Sequence, residues 1–187
     1  MVQSPTRSLT LEEFLQQPDT KPASEYIDGQ IIQKPISKAD HSVIQGDLTA
    51  AINSAIKGSQ VGRAFPELRC TFDGRSIVPD IAVLPWAAIP RNENGKASGE
   101  LFAAPQWMIE ILSQGQSQTK VGKKILHALE HGTQLGWLID PAEDCVFGYT
   151  PNLRTALYEE PAIQLPVPAF ATDFKLTIGE LVAWLYE

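Results

Sequence analysis

The stretch QWMIEIL, residues 106–112, carries a carboxylate in the middle of an apolar run. Its β-prone residues predict a buried strand, and alternation along a strand places Met108, Glu110 and Leu112 on one face. A charged carboxylate in such a place is unfavourable unless an opposite charge, several hydrogen-bond donors or a metal ion compensates it. Glu110 therefore needs a partner.

A second isolated acid lies in SIVPDIAVL, residues 76–84, which also reads as a strand. Asp80 is the one acid on its face of that strand, as Glu110 is on its own. Two acids brought close repel each other, and a divalent cation with oxygen ligands relieves that repulsion. The alternative is that Asp80 caps a turn after Pro79 and Glu110 pairs with a lysine at a strand end.

Composition predicts one compact domain, residues 1–187, because 187 residues with 43% hydrophobic side chains suffice for one full core. Cys70 and Cys145 lack metal-site spacing and predict neither a disulfide nor a zinc site, so we expect reduced thiols. The N-terminus lacks the apolar core of a signal peptide, and no apolar run is long enough to cross a bilayer, so we expect a cytoplasmic, soluble protein without a membrane partner. A formal charge of -7 argues against a general polyanion binder but leaves room for a local basic patch.

The N-terminal part, residues 8–34, is predicted to hold a short helix and a hairpin. Thr10 and Glu13 have capping-box spacing, which indicates a helix start. Asp28-Gly29 between two β-prone runs is a strong hairpin signal. Both elements precede the predicted core.

The core, at about residues 40–140, is predicted from periodicity. A helix over 41–57 with Asp40 as N-cap is followed by strands at 61–72, 76–84 and 106–112. A second helix, from Ser117 to about His131, ends at Gly132 and precedes the strand LGWLID. This order of helix, three strands, helix and strand predicts an α/β fold with a mixed central sheet flanked by helices, an added N-terminal hairpin, and C-terminal strands and a helix in 145–187.

Several of these motifs resemble a known group of enzymes. The dipeptide Pro79-Asp80, about thirty residues before the EIL of Glu110–Leu112, resembles the PD-(D/E)XK nuclease signature. In that superfamily the two acids hold magnesium, and a lysine two residues after the glutamate assists the attacking water. Position 112 is leucine, so the lysine is missing from its usual place.

A wider set of motifs resembles one family in particular. LTLEEFL, EYIDGQII, ADHSVIQGDL, VPDIAVL, IEILS, KKILHALEHG and GWLID occur in the order typical of the restriction-endonuclease-like family formerly known as a domain of unknown function. The resemblance covers most of residues 8–140 and implies a restriction-endonuclease-like core. It also implies a metal site of Asp80, Glu110 and the main-chain carbonyl of Ile111, which would take Mg²⁺ or Mn²⁺.

In that family the lysine has moved to the following helix, where Lys124 matches it. Among Lys120, Lys123 and Lys124, Lys124 lies closest to the apolar stripe of the helix at about 100° per residue. A solvated basic face is the alternative, and the sequence leaves open whether Lys120 or Lys123 serves instead. The stripe consists of Val121, Ile125, Ala128 and Leu129.

Glu25 and His41 match two further family positions. The resemblance implies that Glu25 is a further metal or water ligand, whereas a salt bridge within the hairpin is the plain reading. His41 either contacts a phosphate or orients Glu25, or it is a surface or capping residue at the start of its helix. Glu67, an acid in a strand candidate, has no assigned face.

These features lead to a hypothesis of a divalent-metal-dependent endonuclease that hydrolyses DNA phosphodiester bonds, with Asp80, Glu110, Lys124, Glu25 and His41 at its site. A homodimer is expected, since cleaving two strands suits paired sites. The alternative is a degenerate member of the fold that serves as a nucleic-acid or protein interaction module. A third reading, paired carboxylates without metal as in glycosidases, does not explain the order of motifs. The candidate phosphate contacts are Arg63, Arg69, Arg75, Lys120 and Lys123.

Overall fold

The computed structural model describes residues 9–152 and 154–187. Residues 1–8 lie outside the described residues. The prediction that the N-terminus lacks a signal peptide rests partly on them, and the predicted N-terminal part begins at residue 8. The α-helices are α1 (Leu11–Leu15), α2 (Ala39–Ile56), α3 (Gln118–Glu130) and α4 (Ile178–Ala183). The strands are β1 (Ser24–Ile27), β2 (Gln30–Gln33), β3 (Gly62–Pro66), β4 (Cys70–Phe72), β5 (Arg75–Ile77), β6 (Ile81–Pro85), β7 (Trp107–Ile111), β8 (Leu135–Asp140), β9 (Cys145–Tyr149) and β10 (Thr155–Tyr158).

The larger sheet has six strands in the order β10-β9-β8-β7-β6-β3. The pair β7 and β8 is parallel and the other pairs are antiparallel, so the sheet is mixed. A parallel pair needs a crossover, and α3 supplies it. The apolar side of α2 and the C-terminal segment pack with one face of the sheet, while α3 packs with the other. This architecture confirms the predicted fold class.

The smaller sheet has four antiparallel strands in the order β2-β1-β5-β4, so the N-terminal hairpin does not stand alone. Two predicted strands were wrong in their extent. The predicted strand 61–72 is broken at Glu67, whose φ of 50° is incompatible with a strand. The predicted strand 76–84 is broken between β5 and β6 at Pro79, which lacks the N–H that a ladder requires. The larger sheet keeps three strands, β3, β6 and β7, between α2 and α3, as predicted.

The predicted helix ends are mostly confirmed. Thr10 and Glu13 form the capping box of α1, and Ser117 accepts a hydrogen bond from the Lys120 N–H at the start of α3. The predicted N-cap of α2 is wrong, because α2 begins at Ala39 with Lys38 as N-cap. Asp40 lies inside the first turn, where its Oδ1 accepts a hydrogen bond from the adjacent backbone N–H at 2.8 Å.

Two further predictions concern membrane-spanning helices and the state of the cysteines. Across residues 9–152 and 154–187, no helix combines the length and apolar character needed to cross a membrane. Cys70 and Cys145 are both free thiols and both buried. The second observation agrees with the predicted absence of a disulfide between them.

Candidate active site

Asp80 and Glu110 come from neighbouring parts of the larger sheet. Glu110 lies in β7, and Asp80 lies directly before β6, which pairs with β7 through Ile81 and Ile109. The Asp80 side chain contacts His41 of α2, whereas the Glu110 side chain contacts Lys124 of α3. Asp80 is 2% exposed and Glu110 is 1% exposed, so both carboxyl groups are removed from water.

Asp80 is held by partners from three elements. Its Oδ1 lies 2.5 Å from Lys34 Nζ, and its Oδ2 accepts a hydrogen bond from the Ile111 N–H at 2.7 Å. His41 Nε2 lies 3.3 Å from Oδ2. Burial alone would raise the pKa of Asp80, but the positive charge of Lys34 and the contact with His41 outweigh burial and lower it. Asp80 is therefore ionised in the folded protein.

Lys124 extends from α3 into the site, where it contacts Glu110. Its Nζ lies 2.9 Å from Glu110 Oε1 and donates a hydrogen bond to Glu25 Oε1 at 2.8 Å. Lys120 and Lys123 on the same helix are exposed, whereas Lys124 is 7% exposed. Leu112, at the position where the nuclease signature has its lysine, packs against the apolar cluster under α3. Lys124 thus brings an ammonium group to Glu110 from another element.

Glu110 is the least satisfied member of this group. Its Oε1 lies at ion-pair distance from Lys124, yet it accepts no hydrogen bond of good geometry from the described residues. Burial raises the pKa of Glu110 to about 7, because the attraction of Lys124 only partly offsets the loss of water. Lys124 shows the reverse balance: burial lowers its pKa, but the negative charges of Glu110 and Glu25 outweigh that effect and raise it. The ammonium is shared between two acids, which explains why it does not fully stabilise the Glu110 carboxylate.

Glu25 and His41 occupy places that the sequence did not predict in detail. Glu25 is buried, and its Oε1 also accepts a hydrogen bond from the Val78 N–H at 2.8 Å. The plain reading of Glu25 as a salt bridge within its hairpin is wrong, since the ion pair is with Lys124. His41 is 4% exposed, so its reading as a surface residue is wrong too, and it contacts Asp80.

Lys34 is the site residue that sequence reasoning missed. It follows β2, and its Nζ also donates a hydrogen bond to the Val78 carbonyl at 2.7 Å, so it ties the segment before β6 to the hairpin. Its side chain is 10% exposed. No sequence motif identifies Lys34 as a site residue. The one indication in the sequence was that a buried Asp80 needs a positively charged partner.

Asp80 opens onto a large cavity. The cavity has a volume of about 780 Å³, and its lining includes Lys34, His41, Asp80 and the end of β7 at Ile111. A second cavity of about 380 Å³ is lined in part by the α3 lysines Lys120, Lys123 and Lys124. Asp80 and Lys34 therefore line one cavity, and Lys124 lines the other.

The other predicted phosphate contacts are engaged within the protein. Arg69 Nη2 pairs with a carboxylate of α1's following loop at 3.2 Å, and Arg75 Nη2 pairs with the hairpin acid Asp28 at 2.8 Å. Arg63 lies over an aromatic ring at 5.2 Å. Lys120 and Lys123 are the exposed cations next to the site.

The residues present suit a hard divalent cation. Asp80, directly before β6, and Glu110, in β7, supply carboxylate oxygens. The buried Oε1 of Glu110 is a ligand atom without a good donor among the described residues. Lys34 now neutralises Asp80, so a bound cation has to replace that ammonium at Oδ1. Asp80, Glu110, Glu25 and His41 do not bring three ligand atoms within 4.8 Å of one another. A cation here would take two carboxylates, a main-chain carbonyl and water.

Comparisons with known proteins agree with the fold. They assign the mixed sheet and its flanking helices to the restriction-endonuclease-like class. The family model described as "Uma2: Putative restriction endonuclease" matches residues 11–179. A crystal structure from Anabaena variabilis ATCC 29413, described as a putative nuclease belonging to DUF820, is 55% identical and superposes with a TM-score of 0.92. The alignment covers 94% of this chain and 98% of that chain. A search of curated proteins found no match. The chain belongs to the Uma2 family.

Proposed function

We propose that this protein is a divalent-metal-dependent endonuclease that hydrolyses DNA phosphodiester bonds. The observation that carries the proposal is the contact of Lys124 Nζ with Glu110 Oε1 at 2.9 Å, across the paired strands from Asp80. Two buried acids and a buried lysine are the three groups that such chemistry needs. The family and the structural relative support a nuclease-like function in general terms.

Asp80 and Glu110, with the carbonyl of Ile111, would hold Mg²⁺ or Mn²⁺. When bound, such an ion lowers the pKa of a coordinated water and offsets negative charge on the phosphate. Asp80 is prepared for this role because its lowered pKa keeps it ionised. The Ile111 N–H and His41 both contact Asp80 Oδ2 and orient the carboxylate.

Lys124 would act as an ammonium group and not as a base. Two neighbouring acids outweigh the effect of burial and raise its pKa, so it is protonated at neutral pH. It would donate a hydrogen bond to the attacking water or to the phosphate oxygen on which charge develops. Glu25 positions Lys124 through the bond at 2.8 Å and supplies a further carboxylate to the site.

DNA would approach through its backbone. The exposed Lys120 and Lys123 precede Lys124 on α3 and line the same cavity, so they are suited to phosphate contacts. The acidic net charge of the chain confines such contacts to a local basic surface, so binding would weaken steeply as salt is added. A two-fold homodimer would supply paired sites for cutting both strands.

The proposal is tested by cleavage of supercoiled plasmid, single-stranded DNA and branched DNA in Mg²⁺ or Mn²⁺. Asp80→Asn and Glu110→Gln remove the charge with little change of shape. Asp47→Asn on the exposed side of α2 and Glu130→Gln at the exposed end of α3 are matched controls. We expect cleavage by the wild type and both controls, and loss of at least about a hundredfold in the two site variants. Cleavage that persists in both site variants would overturn the assigned site.

The alternative function is that of a degenerate member of the fold, which binds a nucleic acid or a protein without cleaving DNA. It is favoured by one observation: Lys34 and the Ile111 N–H occupy both oxygens of Asp80. Calorimetric titration with Mg²⁺ and Mn²⁺ separates the two functions. One result would favour the interaction module over the nuclease. In it the wild type binds metal, Glu110→Gln does not, and none of the DNA substrates is cleaved.

A further inference from the structure

A second group of metal-binding side chains lies at the other end of α3. Asp73 is in the turn between β4 and β5, where it and Gly74 have positive φ angles of 44° and 71°. This turn lies against the C-terminal end of α3, which carries His127 and the C-cap residue His131. Among residues 9–152 and 154–187, these are the three His, Cys, Asp or Glu side chains whose ligand atoms all lie within 4.8 Å of one another.

Asp73 lies at distances from the two imidazoles that are close to those of tetrahedral coordination. Asp73 Oδ2 lies 3.2 Å from His131 Nε2 and 3.7 Å from His127 Nε2. Zinc bonds of 2.0–2.1 Å at tetrahedral angles separate two ligand atoms by about 3.3 Å. Shifts of a few tenths of an ångström therefore bring both of these separations to the tetrahedral value. Residues spaced by four on a helix share a face, which explains why both imidazoles reach one point.

His131 is oriented as a metal ligand. Its Nδ1 lies 2.8 Å from the carbonyl oxygen of His127, which can only accept a hydrogen bond. In the neutral ring Nδ1 therefore carries the proton, and the lone pair of Nε2 points towards Asp73. A backbone carbonyl that holds the far N–H of an imidazole is the usual second partner of a ligating histidine.

His127 supplies an independent sign of a ligand. Its side chain is 10% exposed, and its Nε2 is buried without a hydrogen-bond partner in the described part of the chain. Leaving such a group unsatisfied is unfavourable, and a bound cation would satisfy it. Phe72 stacks on the ring with centroids 5.4 Å apart and restricts its orientation.

We propose that Asp73, His127 and His131 form a Zn²⁺-binding site that links the β4–β5 turn to the end of α3. Two imidazoles and one carboxylate suit zinc and disfavour magnesium, which prefers oxygen. Asp73 and His131 are partly exposed, so a water completes the coordination. The site is separate from Asp80 and Glu110, and it stabilises the helix that carries Lys124.

Zinc titration of tag-free, chelator-treated protein tests the proposal, with excess Mg²⁺ present to occupy oxygen-rich sites. Calorimetry gives the stoichiometry, and the visible absorption of Co²⁺ reports tetrahedral coordination by nitrogen. The variants are Asp73→Ala and His131→Ala, both at exposed positions, so folding is preserved. Asp144→Ala is the matched control, because Asp144 is an exposed turn residue with a φ of 49° and lies outside the group.

We expect one Zn²⁺ per chain for the wild type and the control. Loss of an outer partner of a zinc ligand already costs about 10–100-fold in affinity, so loss of a ligand should cost more than about a hundredfold. Zn²⁺ should also raise the melting temperature of the wild type and of Asp144→Ala, but not that of Asp73→Ala. The proposal fails if wild-type protein binds no stoichiometric Zn²⁺, if both ligand variants bind as the wild type does, or if Asp80→Asn abolishes the binding.

Discussion

Replacing Lys124 with methionine tests the electrostatics of the site directly. Methionine keeps most of the length and apolar stem of lysine but removes its ammonium, which lies 2.8 Å from Glu25 Oε1 and 2.9 Å from Glu110 Oε1. Lys124, Glu25 and Glu110 are all buried, so water cannot take the place of the lost charge. Two acids then remain without the cation that they share.

The expected loss of stability follows from that burial. Removing one partner of a buried ion pair costs about 3–5 kcal/mol because it leaves an uncompensated charge. For a chain of this size the corresponding fall in melting temperature is about 6–20 °C. Lys123→Met is the matched control, since the neighbouring residue is exposed and its change should stay within about 0.5 kcal/mol.

The pH dependence gives the prediction a second signature. The pKa of Glu110 is raised to about 7 in the folded protein, from 4.5. A raised carboxyl pKa contributes stability that is complete below pH 4.5 and is lost as the pH rises through 7. Without Lys124 the pKa of Glu110 rises further, so the loss in the variant continues above pH 7. The difference between the two proteins should therefore grow by about 1–2 kcal/mol between pH 6 and pH 8.5.

Urea unfolding in the presence of EDTA, followed by circular dichroism at both pH values, measures these differences. EDTA keeps metal binding from altering the comparison. The reasoning is refuted if Lys124→Met is as stable as the wild type at pH 8.5, or if Lys123→Met is destabilised to the same extent. A loss that is equal at the two pH values would refute the role assigned to Glu110.

Three further predictions concern the site and the core. Mg²⁺ affinity measured by calorimetry should fall about tenfold per unit as the pH drops below about 7, because one proton must leave Glu110; a flat profile would contradict this. Gly136→Ala should lower the free energy of unfolding in urea by about 1–3 kcal/mol, since a Cβ there would lie 2.1 Å from Ile125 Cγ2. In the control Gly46→Ala, in α2, the new Cβ meets nothing within 4 Å and should raise that free energy by up to about 1 kcal/mol. Thr177→Ala should cost about 1 kcal/mol by removing the capping box of α4, and an unchanged midpoint would argue against that box.

The outline of the fold was predictable because its signals are local. Capping residues, the Asp28-Gly29 turn and the periodicity of α2 and α3 each depend on residues a few positions apart. The prediction failed where pairing between residues distant in sequence decides the structure. The two long predicted strands each divide because the chain passes from the larger to the smaller sheet at Glu67 and returns to the larger sheet at Pro79.

The sequence by itself determined which side of its strand Glu110 occupies and that Lys124 is the α3 lysine nearest the buried face, because alternation and helical periodicity are properties of neighbouring residues. Asp80 was predicted inside a strand, but it lies directly before β6. Only the tertiary structure decided the partners. Lys34 reaches Asp80 across 46 positions, and Lys124 reaches Glu25 across 99. Such pairings depend on strand register and on how helices pack over the sheet, and these are settled by burial of the whole core, so no local pattern encodes them.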